Sequence, residues 1–437
     1  MIALWDSLPV LAQDIAVTLA LLLPGVLLGA GVLRGFAPWP LVRAILWRFR
    51  GPSVLFVLLI ALSVGMGIGL LAQERGLRQG TAQAADKFDL IVAAPGSELT
   101  AMFAAVFLQP SDMGLLSGDT YSAIAAHPSV TLAAPLAFGD SFGAASIVGT
   151  TADFVRHLSD ERIEGRLWRT AEEAVVGALV PLEIGGRFAP SHGTGDAAEP
   201  DGHDGHESAV VGRMAPTGTP WDRAILVPVE AVWEVHGLAN GHAPERAGQI
   251  GPPFDAAYFP GTPAVVLRAA SLGASYGLRS EFTRDGETMA FFPGSVLAGL
   301  YRVMGDVRQA MSLMALVTQG LVAASVLLGL FILSRLFRRQ IALLRALGAP
   351  RRFVFAVIWS FSAVLLLAGA AGGLLTGLGA AQLLSAAVTS RTGVAVAAGL
   401  GWTEIQFIAA FVSAGLALSL LPAALVLRQP VIEGLRA

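Results

Sequence analysis

Five apolar runs, each long enough to cross a bilayer, limit what this chain can fold into. A helix needs about 20 predominantly apolar residues to span the hydrocarbon core. Lipid offers no partner for backbone N–H and C=O groups, so only closed hydrogen-bonded elements cross it. The runs are about Pro9–Leu33, Ser53–Ala72, Met311–Ser334, Phe353–Ala386 and Ile405–Leu427. The fourth is long enough to tilt or to project beyond the membrane. Charged residues make up only 14% of the chain, against about 25% in soluble domains. The first run lacks a basic leading segment, since Asp6 and Asp14 are its only charged side chains. It is therefore expected to stay as a membrane helix rather than act as a signal peptide.

Arginines orient these runs, because short cytoplasmic segments carry the excess of Lys and Arg. Residues 34–52 hold Arg34, Arg43, Arg48 and Arg50 with no acid. Residues 335–352 hold Arg335, Arg338, Arg339, Arg345, Arg351 and Arg352, again with no acid. The tail holds Arg428 and Arg436 against Glu433. Placing these three segments in the cytoplasm puts the N-terminus and residues 73–310 outside. The expected architecture is a multi-pass α-helical membrane protein with about five transmembrane helices and a large α+β periplasmic domain. Its parts are an extra N-terminal helix (1–34), a cytoplasmic amphipathic segment (35–52), a second span (53–72), the periplasmic domain (73–310) and a three-span region (311–437). The location is the bacterial inner membrane.

The outside domain is long enough to hold its own core. Short runs rich in β-branched residues read as strands at 88–93, 145–149, 224–228 and 264–268. Residues 121–127, 152–158 and 229–235 read as short helices. The ends, 73–85 and 294–310, have helical texture and are expected to continue the flanking spans as a stalk. Segment 191–207 is rich in Gly, Asp and His and reads as a mobile loop. Neutral imidazole is the commonest metal ligand type. His192, His203 and His206 are candidate ligands here, with Asp196, Asp201, Asp204 and Glu207 as oxygen donors and His236 and His242 further along. Zinc takes four such N and O ligands. The same residues equally suit a solvated surface loop that binds nothing. With no cysteine in the chain, a thiolate zinc site or a disulfide framework is excluded.

One stretch is more specific than composition. Arg338–Arg352, with its internal LRALGA, lies between two spans. As a helix it sets Leu343, Leu344 and Leu347 on one edge and its arginines around the rim. Together with the large outside domain and the short basic tail, it resembles FtsX-like permeases of the MacB and LolC type, subunits of ABC systems. Residues 88–96, 211–223 and 232–236 also look like that family, and the likeness extends over about residues 40–437. The resemblance implies a segment, 335–352, that docks on a separate cytoplasmic ABC ATPase. Arg338, Arg339, Leu343, Leu344, Arg345, Leu347 and Gly348 would form that coupling. It further implies a homodimer or pseudo-symmetric heterodimer. A narrower likeness, to a zinc-linked subgroup, rests on Ser191-His-Gly, the following His-rich loop, Thr217-Gly-Thr and His236. It implies a periplasmic metal-binding protein as a further partner.

Gly369, Gly373 and Gly377 recur every four residues in the fourth run. Such spacing lets helices approach closely, either within one subunit or between copies. Ionisable residues are almost absent from the spans, which favours levers over an ion pathway. No Walker A pattern appears, and no nucleophile elbow does. The arginines sit where topology explains them, so nucleic acid is not an expected partner. The function expected is that of an ABC permease subunit, with metal transport as its sharper form. Lipoprotein or small-molecule export, and a membrane-tethered sensing or regulatory module, are the rival expectations.

Overall fold

The computed structural model describes residues 5, 7–109, 111–192, 207–284, 286–303, 305, 320, 324 and 338–427. The chain divides into two compact units. One comprises Met1–Leu77, Asp306–Ala386 and Ala397–Ala437; the other comprises Arg78–Gly305 and Ala387–Val396.

The first unit is helical. Four of its described helices are long and apolar enough to cross a membrane. The helix Val10–Leu33 holds 24 residues, and Arg50–Ala85 holds 36. Arg351–Thr392 holds 42, or about 63 Å at 1.5 Å per residue. It therefore runs well past the roughly 30 Å hydrocarbon layer. The last apolar run is divided into Trp402–Leu418 and Leu420–Leu427. Pro422 accounts for the break: its ring nitrogen gives no hydrogen bond to the Leu418 carbonyl, and the ring crowds that carbonyl. The run Met311–Ser334 lies outside the described residues, apart from Gly320 and Ala324, which are helical.

The second unit is built on an 11-stranded mixed sheet. Its strands are β1 (Leu90–Ala93), β2 (Val130–Phe142), β3 (Ala145–Thr150), β4 (Ile163–Gly165), β5 (Glu173–Val176), β6 (Arg187–Phe188), β7 (Ser191–His192), β8 (Ser208–Met214), β9 (Ile225–Pro228), β10 (Ala264–Ala269) and β11 (Met289–Phe291). The main path runs β11-β1-β10-β2-β3-β9-β5-β8-β4, with β6 joined to β8 and β7 joined to β2. Pairings are antiparallel except β3 with β9 and β5 with β8.

Side chains alternate across a strand, and here both faces are buried. Leu90 and Val92 enter one apolar cluster with Tyr121, Trp233 and Phe282. Ile91 and Ala93 enter the other with Met102, Phe154 and Trp221. Helices therefore cover both faces: Gly118–Ala125, Val229–Val235 and Leu272–Arg284 on one, Glu98–Phe107 and Ala152–Leu158 on the other. Ser97 and Ser117 cap two of them, accepting from the backbone N–H of Thr100 and Thr120.

An ion pair ties β5 to the loop before it. Arg166 clasps Glu173 with both terminal nitrogens, Nη1 lying 2.7 Å from Oε2. The Arg169 N–H donates to the same oxygen at 2.7 Å. These bonds lower the Glu173 carboxyl to about 2, the Arg166 hydrogen bond contributing most. The unfolded value is about 4.3. A depressed folded value means that the contribution is complete above about pH 5 and fades as pH falls toward 2. Arg166→Met should therefore return the Glu173 pKa, read by NMR titration, most of the way to the ordinary value. It should also destabilise the protein at pH 7 but not near pH 2. An unmoved Glu173 titration would show that the arginine does not hold the carboxylate.

Candidate functional site

The LRALGA segment forms a helix, Arg338–Ala346, closed by a Schellman turn. The Gly348 N–H donates to the Arg345 carbonyl at 3.1 Å, and the Ala349 N–H donates to the Leu344 carbonyl at 2.9 Å. Gly348 sits at φ +96°, a backbone state that side chains with a Cβ disfavour. Pro350 follows, and the long helix begins at Arg351. The LRALGAP stretch is thus a helix end, a left-handed cap and a restart. Leu343 and Leu347 are 48% and 83% exposed, Leu344 is half-buried and Ala342 is buried. Arg338 and Arg339 open the helix. One apolar edge is left facing outward.

The three glycines of the 351–392 helix meet the 50–85 helix of the same chain. A Cβ on Gly369 would lie 2.5 Å from Ile60, and one on Gly373 would lie 2.6 Å from Val64. On Gly377 it would lie 2.5 Å from the Gly65 carbonyl. The facing helix contributes small residues too: a Cβ on Gly65 would lie 3.1 Å from the Gly373 carbonyl, and one on Gly69 3.4 Å from the Gly377 carbonyl. The backbones touch directly, which is the use of small residues every fourth position.

The N-terminal helix is held to the 402–418 helix. Gln406 Nε2 donates to Asp14 Oδ1 at 3.1 Å, and Ser413 Oγ donates to the Leu21 carbonyl at 2.5 Å. A Cβ on Gly25 would lie 3.0 Å from Ser413 Oγ. At the start of the 402–418 helix, Glu404 is fully buried. Its Oε2 accepts from Arg75 Nη1 and from the Gly401 N–H, and Arg75 also donates to the Gly399 carbonyl.

In the second unit the candidate histidines separate. His203 and His206 lie outside the described residues, as do Asp196, Asp201 and Asp204. Glu207 is exposed beside Arg187. The segment read as a loop in fact begins in β7, where His192 stands opposite Asp140 of β2. His236 caps the Val229–Val235 helix. Its Nδ1 is 2.7 Å from the Val232 carbonyl, and its Nε2 is 3.7 Å from Asp140 Oδ1. His242 is elsewhere, fully buried with Nε2 3.4 Å from Glu230 Oε1. That carboxylate also accepts from the Gly251 N–H at 2.5 Å, and burial pushes its pKa up. Among the described residues, no group of three or more His, Asp or Glu side chains is placed to hold a metal ion.

Sequence reasoning missed Gly65, Gly69, Arg75, Glu404 and Asp140. The small-xxx-small spacing of Gly65 and Gly69 was a usable signal. The other three depend on partners distant in the chain or on a local bulge.

Comparison with known proteins adds an assignment for the C-terminal part. Residues 309–431 match the model of the FtsX-like permease C-terminal family. Among solved structures, the periplasmic region of MacB from Actinobacillus actinomycetemcomitans is similar at a TM-score of 0.31 and 9% identity, covering 49% of this chain and 94% of that one. A comparison with curated proteins found no match. Membrane-length helices and the family match together identify an integral membrane protein whose residues 309–431 are an FtsX-like permease domain.

Proposed function

We propose that this chain is the permease subunit of an ABC-type complex in a bacterial inner membrane. A separate cytoplasmic ATPase presses on residues 335–352, and the long helices carry the displacement toward a periplasmic sheet domain. The observation that carries this reading is the outward apolar edge of the 338–346 helix, inside the FtsX-like match. Leu343 and Leu347 lie four residues apart on one helix face and are exposed where an apolar side chain gains nothing from water. Arg345, Arg351 and Arg352 supply the charged surround on the side that the arginine pattern assigns to the cytoplasm. The helix is stiff and sharply capped, as an element that transmits a push must be. The helices 50–85 and 351–392 are the levers. Residues 78–85 of one and 387–392 of the other are grouped with the sheet-bearing unit.

Leu343→Asp with Leu347→Asp leaves the fold intact, because both side chains are exposed. It should abolish co-purification of the ATPase with the detergent-solubilised chain. A photo-crosslinking residue at Leu347 should yield an adduct whose mass spectrum identifies an ABC ATPase. Undiminished association in the double variant would reject the docking assignment.

A further inference from the structure

We propose that the helix Trp39–Arg48 is a binding surface for anionic phospholipid headgroups, with Arg43 seating a headgroup phosphate between the indoles of Trp39 and Trp47. This uses only the helical unit and is independent of the ATPase reading. Three observations converge.

The first is where the chain must hold this helix. It has 10 residues, or about 15 Å at 1.5 Å per residue, half of the roughly 30 Å hydrocarbon layer. It is too short to cross. The membrane-length helices Val10–Leu33 and Arg50–Ala85 flank it in the chain. Phe49 alone separates it from the second of these. Residues 34–38 link it to the first, a reach of at most about 18 Å, and Gly35 turns that link at φ +80°. Both spans therefore end at one face of the bilayer, and this helix stays beside that face.

The second is the division of its surface. Val42 is buried in the apolar cluster that includes Ile60 and Val354, and Ile45 and Leu46 pack against that cluster. Residues four apart differ by about 40° around a helix, so Trp39, Arg43 and Trp47 fall within an arc of about 80°. All three are exposed, the two tryptophans at 53% and 68%. An indole at a bilayer surface sets its ring at the acyl boundary and its N–H toward ester and phosphate oxygens. One helical turn is about 5.4 Å, so the Arg43 guanidinium lies between the two rings at headgroup spacing.

The third is charge. Arg34, Arg43, Arg48 and Arg50 lie on or beside this helix, and residues 15–73 contain no Asp or Glu. Among the described residues, none of these four guanidiniums makes an ion pair or a side-chain hydrogen bond. Basic clusters next to a span draw anionic lipid, and basic helices with Trp on the apolar side lie in the interface. A guanidinium fork takes two phosphate oxygens at once. A zwitterionic headgroup brings its own cation, so four unneutralised arginines select the anionic one. The short tethers keep both indoles at headgroup depth, where lipid is the neighbour at hand.

The test is quenching of tryptophan fluorescence by brominated lipid in the full chain. The protein is reconstituted in phosphatidylcholine vesicles with a minor share of either brominated phosphatidylglycerol or brominated phosphatidylcholine. The part of the quenching lost in Trp39→Phe/Trp47→Phe isolates this helix from the other tryptophans. That part should be larger with brominated phosphatidylglycerol. Arg43→Gln should cut the preference about fivefold, the effect of one arginine near an anionic surface. Arg43→Lys, which keeps the charge but not the fork, should fall between parent and Arg43→Gln. Size exclusion and melting curves in detergent check folding, and these exposed positions should match the parent. The proposal is overturned if Trp39→Phe/Trp47→Phe leaves the quenched intensity unchanged with both lipids, which would set the indoles against water or a protein partner. It is overturned equally if the two lipids quench alike, or if Arg43→Gln keeps the preference.

Discussion

Replacing Gly373 and Gly377 with leucine should leave no folded protein to purify. A Cβ at either position falls within 2.6 Å of the neighbouring helix, on Val64 in one case and on the Gly65 carbonyl in the other. Overpacking usually costs about 1–3 kcal/mol per site when side chains can move aside. Here one obstacle is backbone, so the helices themselves must separate. The 351–392 helix supplies its own control, because among the described residues a Cβ on Gly379 meets nothing within 4 Å. Gly379→Leu should elute as a single species by size exclusion in detergent, with a melting temperature near that of the parent. Equal behaviour of Gly373→Leu and Gly379→Leu would refute close packing at this seam. The chain contains no cysteine, so a pair introduced at Ala61 and Gly372, where the Cβ positions lie 3.2 Å apart, reports the seam cleanly. Oxidation should protect both thiols from alkylation without doubling the mass. A dimer band instead would place the seam between copies.

That seam shows what the sequence made legible and what it did not. The glycine spacing at 369, 373 and 377 points to a contact, and its partner has a similar signature at Gly65 and Gly69. Nothing local says that those two segments meet, since about 300 residues separate them. In the sheet domain, strands rich in β-branched residues were readable: 145–149 lies within β3, and 264–268 lies within β10. The 13-residue β2 was not. Its run of Ala, Pro and Gly has weak strand preference. It is extended because β10, β3 and β7 all pair with it. The same holds for β5 and β8, whose parallel pairing spans residues 173–213. Histidine content drew attention to 191–207, but the residue that gives His192 and His236 a common neighbour is Asp140. Only a bulge and a register reveal it. Arg338–Ala346 was the easiest element to read, because amphipathicity, cap glycine and following proline are all local signals.

Arg75→Met should be strongly destabilising. It strands the Glu404 carboxylate, fully buried, without its cation. Breaking a buried pair by deleting one partner costs about 3–5 kcal/mol, because the remaining charge stays out of water. Two more bonds bear on the same place. Arg75 also holds the Gly399 carbonyl, and Glu404 holds the Gly401 N–H at 2.8 Å. The pair therefore shapes the chain entering the last apolar run as well as linking it to the 50–85 helix. Arg75→Lys should recover only part of the loss, since one ammonium cannot reproduce the two-pronged guanidinium. Arg75→Met combined with Glu404→Met should be milder than Arg75→Met alone, because no buried charge then remains. A thermal-stability cycle in detergent measures this directly, and a strongly non-additive double variant is the expected outcome for groups in contact. Additive losses would mean that the two residues stabilise the protein separately. On the docking proposed at Leu343 and Leu347, the Arg75→Met protein that does fold should still co-purify with an ATPase, while its thermal transition moves down by many degrees.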